Sequence, residues 1–473
     1  RFDAIAASRS IVTLQTEMEP ELSTREYSGL LTDLYELTMA AGYLQTGFDA
    51  HATFELFVRN LPKRRNYLVA AGLEQCLDFL ENVNFTAPEI DFLRRHPVFR
   101  NIRDEFFDYL AKFRFTGDVW AMPEGTLVFA GEPILRMSAP IIEGQIMETY
   151  LLATISFQTM IASKAARVVT AAQGRPVVEF GARRAHGAQA SLLAARAASI
   201  GGCEGTSNVL AGQRFGMETY GTQAHSWVMA HENETLAFRH FLDAFPDHAV
   251  LLLDTYDVHN ALREILAMGR KPAGVRLDSG DLVKDSRWIR RELVRAGWNN
   301  VKIFASGDLD EDKMTALMKA GASIDAFGVG TALATPGDAP HLSLVYKLVE
   351  VERDGNVRGA AKLTTAKVTY PGSKQVFRFS DAAGKYCGDE IALSEEPERN
   401  AEPLLVQVMA GGKRVTKPEP TLVARDRCIA GLARLPDRYR QLRRDVAYPV
   451  RYSARLKSLL ETVKRRVHHA KLK

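Results

Sequence analysis

Apolar residues recur at helical spacing near the start of the chain, in the stretch LLTDLYELTMAAGYLQTG. The residues that share one helical face are Leu34, Leu37, Ala41 and Leu44. Thr32 or Asp33 can cap the first turn, and Gly47 can end the helix. The pattern predicts an amphipathic helix with this apolar face turned toward a core.

Strand and helix patterns alternate over the next hundred residues. ATFELFV and TLVFAG have the composition of strands, while AAGLEQCLDFLENV and IRDEFFDYLAKF have helical spacing. Strand patterns return after residue 340, in LSLVYKLVEV, AAKLTT and KQVFRFS, the last followed by a DAAGK turn. We therefore predict an α+β domain built from both ends of the chain, residues 25–145 plus 340–435, whose later strands complete the sheet of the first part. Residues 1–24 lack strong periodicity and are expected to form an N-terminal arm.

Short apolar runs separated by helical stretches dominate residues 146–339. The runs are PVVEFG, AVLLLDTYD, GVRLDSGD, VKIFASGD and IDAFGVGT. Each one ends in Gly, Asp or Thr, as expected where buried parallel strands present polar groups at their carboxyl ends. An open parallel sheet shares this pattern, but we favour an irregular α/β barrel.

Positive charge is concentrated at the end of the chain. The net charge is +4, yet residues 434–473 carry 13 Lys or Arg against 3 Asp or Glu, which leaves the rest at −6. Such a tail can contact nucleic acid or anionic lipid. The segment 436–473 also holds leucine and valine at helical spacing, at Leu456, Leu459, Leu460 and Val463. We favour a basic helical tail that docks this face on the body.

The composition is that of a globular protein of two domains, with 473 residues, 46% hydrophobic and 25% charged. No stretch approaches the roughly 18 uninterrupted apolar residues of a membrane span. The opening RFDAIAASRSIV lacks the apolar core of a signal peptide. The four cysteines form no CxxC pair, which excludes a zinc-ligand pattern and a disulfide framework. We therefore expect a cytoplasmic protein, without a membrane or nucleic-acid partner.

Carboxylates stand at the ends of two predicted strands, Asp254 and Asp257 in LLLDTYD and Asp278 and Asp281 in RLDSGDL. At a strand end, carboxylates can hold Mg²⁺, accept bonds from sugar hydroxyls or stabilise a developing cation. Asp beside Gly and Ser is also ordinary turn chemistry. Five polar strand ends in series favour a functional site at this edge.

Two glycine-bearing strand ends indicate phosphate binding. ASGDLDE and AFGVGT leave backbone amides accessible ahead of a helix, an arrangement that binds phosphate. No GxxxxGK[ST] motif occurs, so any use of ATP does not depend on a P-loop. In EFGARRAHG, Phe180 offers an aromatic platform and Arg183 and Arg184 offer anion partners, although arginine is common on surfaces.

His225 lies in GTQAHSWVMAHE between small residues and an apolar run. The imidazole suits proton and phosphate chemistry, but most histidines are structural or solvated. Taken alone, the residues around it favour the structural or solvated interpretation. The same holds for His231 and His186, which we interpret as structural or solvated.

Nine motifs together resemble nicotinate phosphoribosyltransferases, in the order found in that family. They are TDLYELTMAAGY, FELFVRNLP, EFGARRAHG, GTSNVLA, GTQAHSWVMA, RLDSGDL, SGDLDE, FGVGT and PGSKQVFR. The resemblance runs from about residue 29 to 455 and is to bacterial-type members. It implies the type II phosphoribosyltransferase fold, an irregular α/β barrel with a second α/β domain made from both chain ends. It also implies transfer of phosphoribosyl from phosphoribosyl pyrophosphate to nicotinate, coupled to ATP hydrolysis, in the salvage of NAD.

The resemblance assigns the chemical roles. His225 matches the histidine that ATP phosphorylates, and a nucleophilic imidazole needs a neighbouring acid to orient it, for which Asp254 is our candidate. Asp278 would stabilise positive charge developing at the ribose anomeric carbon. Phe180 is similar to the aromatic residue that stacks on the pyridine ring, and Arg183 to the arginine that meets the ring substituent.

Further residues match substrate-binding positions of the family. Gly307 and Asp308 would bind ribose, while Gly328, Gly330 and Thr331 would hold the 5′-phosphate. The remaining matched positions are Ser207, Ser226 and Arg276. Asp33 and Tyr35 resemble a motif that reaches into the partner subunit's site, which implies a homodimer with shared active sites. Mg²⁺ would arrive with pyrophosphate or ATP, without a protein metal centre.

Three alternatives remain open. The nearest is a nicotinamide phosphoribosyltransferase, in which the position of Ser207 is an aspartate that accepts the amide and repels a carboxylate. A second is a non-catalytic regulatory or nucleic-acid-binding protein acting through the basic tail, whose affinity would fall steeply with salt. A third is an unrelated phosphate-substrate barrel enzyme such as a decarboxylase, which leaves AHS and TDLYELT without a role.

Overall fold

The structure is a computed structural model that describes residues 26–364, 367–397 and 399–470. The predicted N-terminal arm, residues 1–24, lies outside these ranges. Within them, no helix combines the length and apolar character that a membrane crossing requires.

Sixteen α-helices occur in the described residues, together with three short 3₁₀ turns. The helices are α1 (Leu34–Gln45), α2 (Leu73–Asn82), α3 (Ala87–Arg95), α4 (Asp104–Ala111), α5 (Ile141–Ile146), α6 (Glu148–Ala171), α7 (Ala188–Ile200), α8 (Val209–Phe215), α9 (His225–Met229), α10 (Glu234–Ala244), α11 (Val258–Ala267), α12 (Leu282–Arg295), α13 (Glu311–Lys319), α14 (Thr331–Ala334), α15 (Thr421–Arg434) and α16 (Ala454–Ala470).

Twenty-two strands lie in the same ranges. They are β1 (His51–Val58), β2 (Leu68–Val69), β3 (Asp118–Ala121), β4 (Leu127–Val128), β5 (Pro133–Pro140), β6 (Val177–Glu179), β7 (Gly205–Thr206), β8 (Glu218–Thr219), β9 (Val250–Leu252), β10 (Gly274–Leu277), β11 (Lys302–Ala305), β12 (Ala326–Val329), β13 (Leu344–Arg353), β14 (Asn356–Gly359), β15 (Leu363–Thr364), β16 (Lys367–Val368), β17 (Lys374–Ser380), β18 (Tyr386–Leu393), β19 (Glu402–Pro403), β20 (Val406–Ala410), β21 (Lys413–Arg414) and β22 (Val450–Tyr452).

An antiparallel sheet collects strands from both ends of the chain, in the order β14-β13-β1-β5-β3-β20-β21. At its centre β1 pairs with β13 and β5, which places Leu56 between Tyr346 and Leu135. All three side chains are buried, because helices and loops cover both faces of the central strands. The predicted return of the chain to this sheet after residue 340 is confirmed for LSLVYKLVEV, which is β13. The prediction for AAKLTT is wrong in its sheet, because this segment holds β15, which pairs with β16 in a separate two-stranded sheet. Strands β14, β20 and β21 also join the large sheet and were not predicted.

The prediction for KQVFRFS is wrong in its sheet. This segment is β17, which pairs with β18 and β19 in a separate four-stranded sheet of order β19-β17-β18-β22. The partner strand β18 pairs in turn with β22, near residue 450, so the hairpin is held by a remote segment, and the buried Arg378 guanidinium forms an ion pair with Asp389 across β17 and β18. The DAAGK segment forms the predicted turn, where the Asp381 amide donates to the Lys385 carbonyl at 2.8 Å.

A parallel sheet of order β8-β7-β6-β12-β11-β10-β9 holds all five strands predicted between 146 and 339. The two outer strands, β8 and β9, are joined through Gln223, whose amide donates to the Val250 carbonyl at 3.4 Å. The Gln223 Oε1 atom accepts from the Leu252 amide at 3.0 Å. The sheet therefore curves into the irregular α/β barrel that the sequence predicts, with one side chain bridging its last junction.

Helix α1 has the predicted position but a different buried face. Asp33 is its N-cap, and Gly47 follows its end with a φ of +62°. Leu37 and Ala41 are buried as predicted, whereas Leu34 is 45% exposed and Glu36 is fully buried. Glu36 points inward because Thr149 donates to its Oε1 at 3.0 Å.

The basic helix α16 docks on the body through its apolar face. Leu456, Leu460 and Val463 are all buried. Leu456 belongs to the large core around the antiparallel sheet, and Leu459 packs against that core. This arrangement agrees with the predicted docked helix.

Candidate functional site

Polar side chains converge where β9, β10 and β11 end. These strands are parallel neighbours in register, with Val275 opposite both Leu251 and Ile303. Asp254, Asp278 and Ser306 follow the three strands and therefore emerge at one edge, as in other parallel α/β sheets.

Asp278 lies at the centre of this edge. Its Oδ1 accepts a hydrogen bond from Ser306 Oγ at 2.5 Å and a second from the Arg276 guanidinium. Burial raises the pKa of the Asp278 carboxyl, but the Ser306 hydrogen bond, Arg276 and His225 outweigh it and hold that pKa below its ordinary value. Asp278 is thus an anion whose Oδ1 accepts two hydrogen bonds and whose Oδ2 lies 4.0 Å from His225 Nε2.

Arg276 ties three loops together from its place on β10. Its Nε donates to Ser306 Oγ at 2.7 Å and its Nη1 to Thr222 Oγ1 at 2.8 Å, in addition to the bond with Asp278. The sequence prediction included Arg276 but missed Thr222 and Ser306. For Ser306 the available signal was a polar residue directly after the apolar run VKIFA, whereas Thr222 follows no apolar run and carried no such signal.

His225 begins α9 and approaches the same carboxylate. Its Nε2 lies 4.0 Å from Asp278 Oδ2, and the side chain is 42% exposed. Its Nδ1 lies 3.2 Å from Thr255 Oγ1. Thr255 therefore fixes the orientation of the ring, and Nε2 faces the acidic centre of the site.

The predicted pairing of Asp254 with His225 is wrong. Asp254 Oδ2 accepts from the Asp278 amide at 3.0 Å and from Ser279 Oγ at 2.5 Å. The reason is geometric, because Asp254 follows β9 and lies directly beside the loop that leaves β10. Asp254 Oδ1 is buried and has no hydrogen-bond partner within the described part of the chain.

Asp257 and Asp281, the other two carboxylates at strand ends, cap helices. This is the ordinary turn chemistry described above as the alternative to a functional role. Asp257 caps α11 by accepting from the Asn260 amide at 2.7 Å. Asp281 caps α12 by accepting from the amides of Val283 and Lys284. Only Asp254 and Asp278 of the four lie at the centre of the site.

Phe180 forms an aromatic wall beside Arg276. Its ring stacks on that of Phe304 with centroids 5.6 Å apart, and the Arg276 guanidinium carbon lies 5.7 Å from its centroid. A Cβ added at Gly328 would lie 2.6 Å from Phe180 Cδ2. Gly328 is therefore needed to make room for the Phe180 ring.

Glu179 immediately precedes Phe180 and anchors the base of this aromatic wall. It was not predicted from the sequence as a site residue. It is 1% exposed, and its Oε2 accepts from Thr206 Oγ1 at 2.7 Å. The Gly181 amide also donates to it. Burial raises the pKa of Glu179, against the bonds from Thr206 and Gly181, which lower it. A carboxylate at the end of the apolar run PVVEFG was the available signal.

Two glycines let the loops pass closely around the site. Gly307 has a φ of +90°, and a Cβ added there would lie 1.7 Å from the Asp278 carbonyl oxygen. Gly330 is the N-cap of α14, so the Thr331 amide opens that short helix. Asp308 extends away from the centre, with 86% of its side chain exposed and its carboxylate 3.0 Å from Lys313.

The remaining predicted residues lie farther out. Arg183, Ser207 and Ser226 are exposed, on the segments that follow β6, β7 and β8. Asp33 and Tyr35 belong to α1, which packs in the other core, around the antiparallel sheet. Within one chain, the predicted site residues of the barrel lie together. Asp33 and Tyr35, at the start of α1, lie apart from them.

The arrangement suits chemistry in which positive charge develops beside a fixed carboxylate. Asp278 is held by Arg276 and Ser306, so it needs no reorganisation as such charge appears. Within the described ranges, no cluster of three or more metal-ligating side chains occurs. A magnesium ion needs only one or two carboxylates when substrate phosphates supply its other ligands, and the unpartnered Asp254 Oδ1 matches that requirement.

Three family models match consecutive parts of the chain. They are the nicotinate phosphoribosyltransferase (NAPRTase) N-terminal domain over residues 30–156, the NAPRTase family over 176–395 and the C-terminal domain over 397–460.

Individual relatives show similarity over most of the chain. Nicotinate phosphoribosyltransferase pncB2 of Mycobacterium tuberculosis (strain ATCC 25618 / H37Rv) is 45% identical over 445 residues, covering 92% of this chain and 94% of that protein. Nicotinate phosphoribosyltransferase of Bacillus subtilis (strain 168) is 43% identical, covering 78% and 76%. The crystal structure of human nicotinic acid phosphoribosyltransferase superposes with a TM-score of 0.80 and 29% identity, over 91% of this chain and 99% of that one.

Proposed function

This chain belongs to the nicotinate phosphoribosyltransferase family, and on that premise we propose how its residues carry out the reaction. Phosphoribosyl passes from phosphoribosyl pyrophosphate to nicotinate, which yields nicotinate mononucleotide and pyrophosphate in NAD salvage. Hydrolysis of ATP is coupled to the transfer through a phosphorylated His225. The observation that carries the proposal is the cluster of Asp278, Arg276 and Ser306 with His225 beside it.

Asp278 stabilises the transition state. As the bond from the anomeric carbon to pyrophosphate breaks, positive charge develops on the ribose before the pyridine nitrogen attacks. Asp278 Oδ2 is the free oxygen of a carboxylate whose pKa is held below its ordinary value, so it carries full negative charge at neutral pH. A preorganised charge of this kind stabilises the developing cation more than water does.

His225 receives the phosphoryl group of ATP. The γ-phosphorus–oxygen bond breaks as the nitrogen–phosphorus bond forms, ADP leaves, and water later releases phosphate from the ring. Thr255 holds the ring at 3.2 Å and so presents it toward the site. The 4.0 Å distance from His225 Nε2 to Asp278 Oδ2 supports an ATP-dependent step beside the ribosyl transfer.

Nicotinate stacks on Phe180, and Arg183 binds its carboxylate. Ser207 lacks the negative charge that would repel a carboxylate, which favours the acid over the amide. The ribosyl and phosphate groups occupy the loops beyond β11 and β12. The residues assigned to them are Gly307, Asp308, Gly328, Gly330 and Thr331, with Ser226 and Arg276 as further contacts.

Magnesium enters with the pyrophosphate or with ATP. The oxygen that would hold it on the protein side is Asp254 Oδ1, which is buried without a hydrogen-bond partner in the described chain. When bound, the ion neutralises charge on the phosphates.

The active site is completed across a homodimer by Asp33 and Tyr35 of the partner chain's α1. Support comes from the exposed apolar side chains at the start of this helix, which a second subunit would cover. They are Leu31, Leu34, Tyr35 and Met39, each at least 36% exposed.

The test supplies purified protein with phosphoribosyl pyrophosphate and either nicotinate or nicotinamide, with and without ATP. We expect nicotinate mononucleotide to form and ATP to raise its rate, with little product from nicotinamide. Preference for nicotinamide would favour the alternative enzyme, and the absence of both products would contradict the proposed activity.

A further inference from the structure

Gln223 occupies an unusual place in the barrel. Strands β8 and β9 are the two ends of the sheet order, and they do not pair with each other directly. Gln223 follows β8 by four residues, and it links to β9 through its backbone amide and its side-chain oxygen. One residue, through its backbone amide and its side-chain oxygen, therefore makes the link that strand pairing makes at the other six junctions.

The side chain is held in a fixed position. Gln223 is 2% exposed, so its hydrogen bond to the Leu252 amide is shielded from water. Its Nε2 is buried and has no partner within the described residues. Burial of an unpaired amide nitrogen is unfavourable, so an apolar residue of equal length would serve better as simple filling. The hydrogen bond that the Gln223 Oε1 atom accepts from the Leu252 amide is therefore the interaction that this side chain contributes.

Gln223 stands two residues before His225. On its other side, Thr222 accepts from Arg276 Nη1 at 2.8 Å and donates to the Gln223 carbonyl at 3.0 Å. After it, the His225 ring reaches Thr255, which follows β9 by three residues. The short segment from 222 to 225 is thus attached to β10 at its start and to β9 at its middle and end.

We infer that Gln223 is a positioning residue that closes the barrel and thereby fixes the His225 ring near Asp278. This inference rests on the proposed phosphorylation of His225. Without the bond to Leu252, the 3.4 Å bond from the Gln223 amide to Val250 and the His225–Thr255 contact are the remaining attachments to the β9 side, so the segment can shift away from β9 and carry the ring with it. A displacement of about 1 Å of a reacting group can lower a rate about 100-fold.

The test uses Gln223→Met, which removes the amide but keeps the length of the side chain, in the full chain. We expect faster hydrogen exchange at the Leu252 amide and a roughly 10- to 100-fold slower transfer of label from γ-labelled ATP to His225. Transfer measured without ATP should stay close to wild type in both kcat and KM, since Asp278 and its partners are unchanged. Gln223→Glu, which keeps an acceptor oxygen, should restore protection of Leu252 and most of the labelling rate.

Gln158→Met is the matched control, because Gln158 is a buried glutamine on α6 that bonds to Gln75 and Arg196 instead. It should leave the labelling rate and the Leu252 exchange unchanged. If Gln223→Met does not fold, Gln223→Asn shortens the side chain while it keeps the amide, and the same two losses are expected.

Two results would overturn the inference. One is wild-type labelling in a folded Gln223→Met protein, and the other is unchanged exchange at Leu252. A wild-type protein that takes no label from ATP would instead contradict the proposed role of His225 and the positioning role with it, while the exchange at Leu252 would still report on the closure of the barrel.

Discussion

The residues at the centre of the site differ in how far the sequence revealed them. Asp278 and Asp281 stand three positions apart in RLDSGDL and were equal candidates from the sequence, yet one lies at the centre of the site and the other caps α12. Their difference depends on β10, which ends at Leu277 and delivers only Asp278 to the shared edge. Residue type therefore predicted the chemistry of the site, whereas the position at which β10 ends determined which of the two aspartates belongs to it.

Thr255 and Asp254 illustrate the same limit. Asp254 was expected to orient the His225 ring, but the Thr255 hydroxyl lies at Nδ1 instead, while Asp278 is the acid 4.0 Å from Nε2. Asp254 supports the Asp278 amide. Successive side chains near a strand point in opposite directions, so Asp254 and Thr255 differ in orientation although they are neighbours. Composition gives no information on which of the two faces His225.

Asp278→Asn should lower the rate of nicotinate mononucleotide formation by about 10²- to 10³-fold, because the change is nearly isosteric but removes the preorganised charge. Steady-state kinetics with nicotinate and phosphoribosyl pyrophosphate would measure it. Asp281→Asn is the control, since Asn also caps helices well, and it should retain the wild-type rate. An Asp278→Asn enzyme within a factor of about three of wild type would move the electrostatic role elsewhere, since that lies far below the expected loss.

At the scale of elements, long periodic segments were predicted well and very short ones were missed. Helix α1 and strands β1, β13 and β17 coincide with sequence patterns, whereas β7 and β8 have two residues each and carry no periodicity. The predicted inward face of α1 included Leu34, which is exposed. Helical spacing identifies a stripe of apolar residues. It does not indicate whether these residues pack against the same chain or against a second subunit.

Burial raises the pKa of Glu36 on α1 to about 7, against hydrogen bonds from Thr32 and Thr149 that lower it, and the nearby Glu148 raises it further. Because the folded-state pKa lies above the ordinary value of 4.5, the folded state binds the proton more tightly than the unfolded chain. The stabilisation is complete below about pH 4.5 and is lost as the pH rises through about 7. The expected loss is a few kcal/mol, since one pKa unit corresponds to about 1.4 kcal/mol.

Glu36→Gln should remove this dependence. The thermal midpoint of the wild type should fall between pH 5 and 8 relative to that of the variant, as measured by circular dichroism. Glu105→Gln, at an exposed position of α4, should follow the wild type. Parallel curves for wild type and Glu36→Gln would show that Glu36 does not titrate in this range.

At the scale of the whole molecule, the alternation of apolar runs and helices predicted the barrel, and the return of strands after residue 340 predicted a sheet built from both chain ends. The separate four-stranded sheet of β17 and β18 was not predicted, because sheet membership depends on contacts between distant segments such as the pairing of β18 with β22. The barrel residues of the site lie together in one chain, while Asp33 and Tyr35 lie on a helix of the other core. This separation makes the proposed dimer testable.

Mixing two inactive homodimers, Tyr35→Ala and Asp278→Asn, should restore activity to about a quarter of wild type. With random reassortment, about half of the dimers are hybrids, and each hybrid has one intact site of two. Two distinguishable tags on the subunits would confirm exchange. Phe180→Ala mixed with Asp278→Asn is the control and should recover nothing, because both residues belong to the same chain's site. Hybrids that form without activity would place Tyr35 in its own chain's site.

The most direct measurement follows the γ-phosphate of labelled ATP onto the protein and locates it by peptide mapping. The account predicts acid-labile label on the peptide that contains His225, none on His225→Ala, and undiminished label on His231→Ala, whose ring bonds to the Trp227 carbonyl at 2.7 Å. The His225→Ala protein should still form nicotinate mononucleotide slowly without a response to ATP, because ribosyl transfer depends on positioning and charge at Asp278. Label that persists on His225→Ala at the wild-type level would contradict the account.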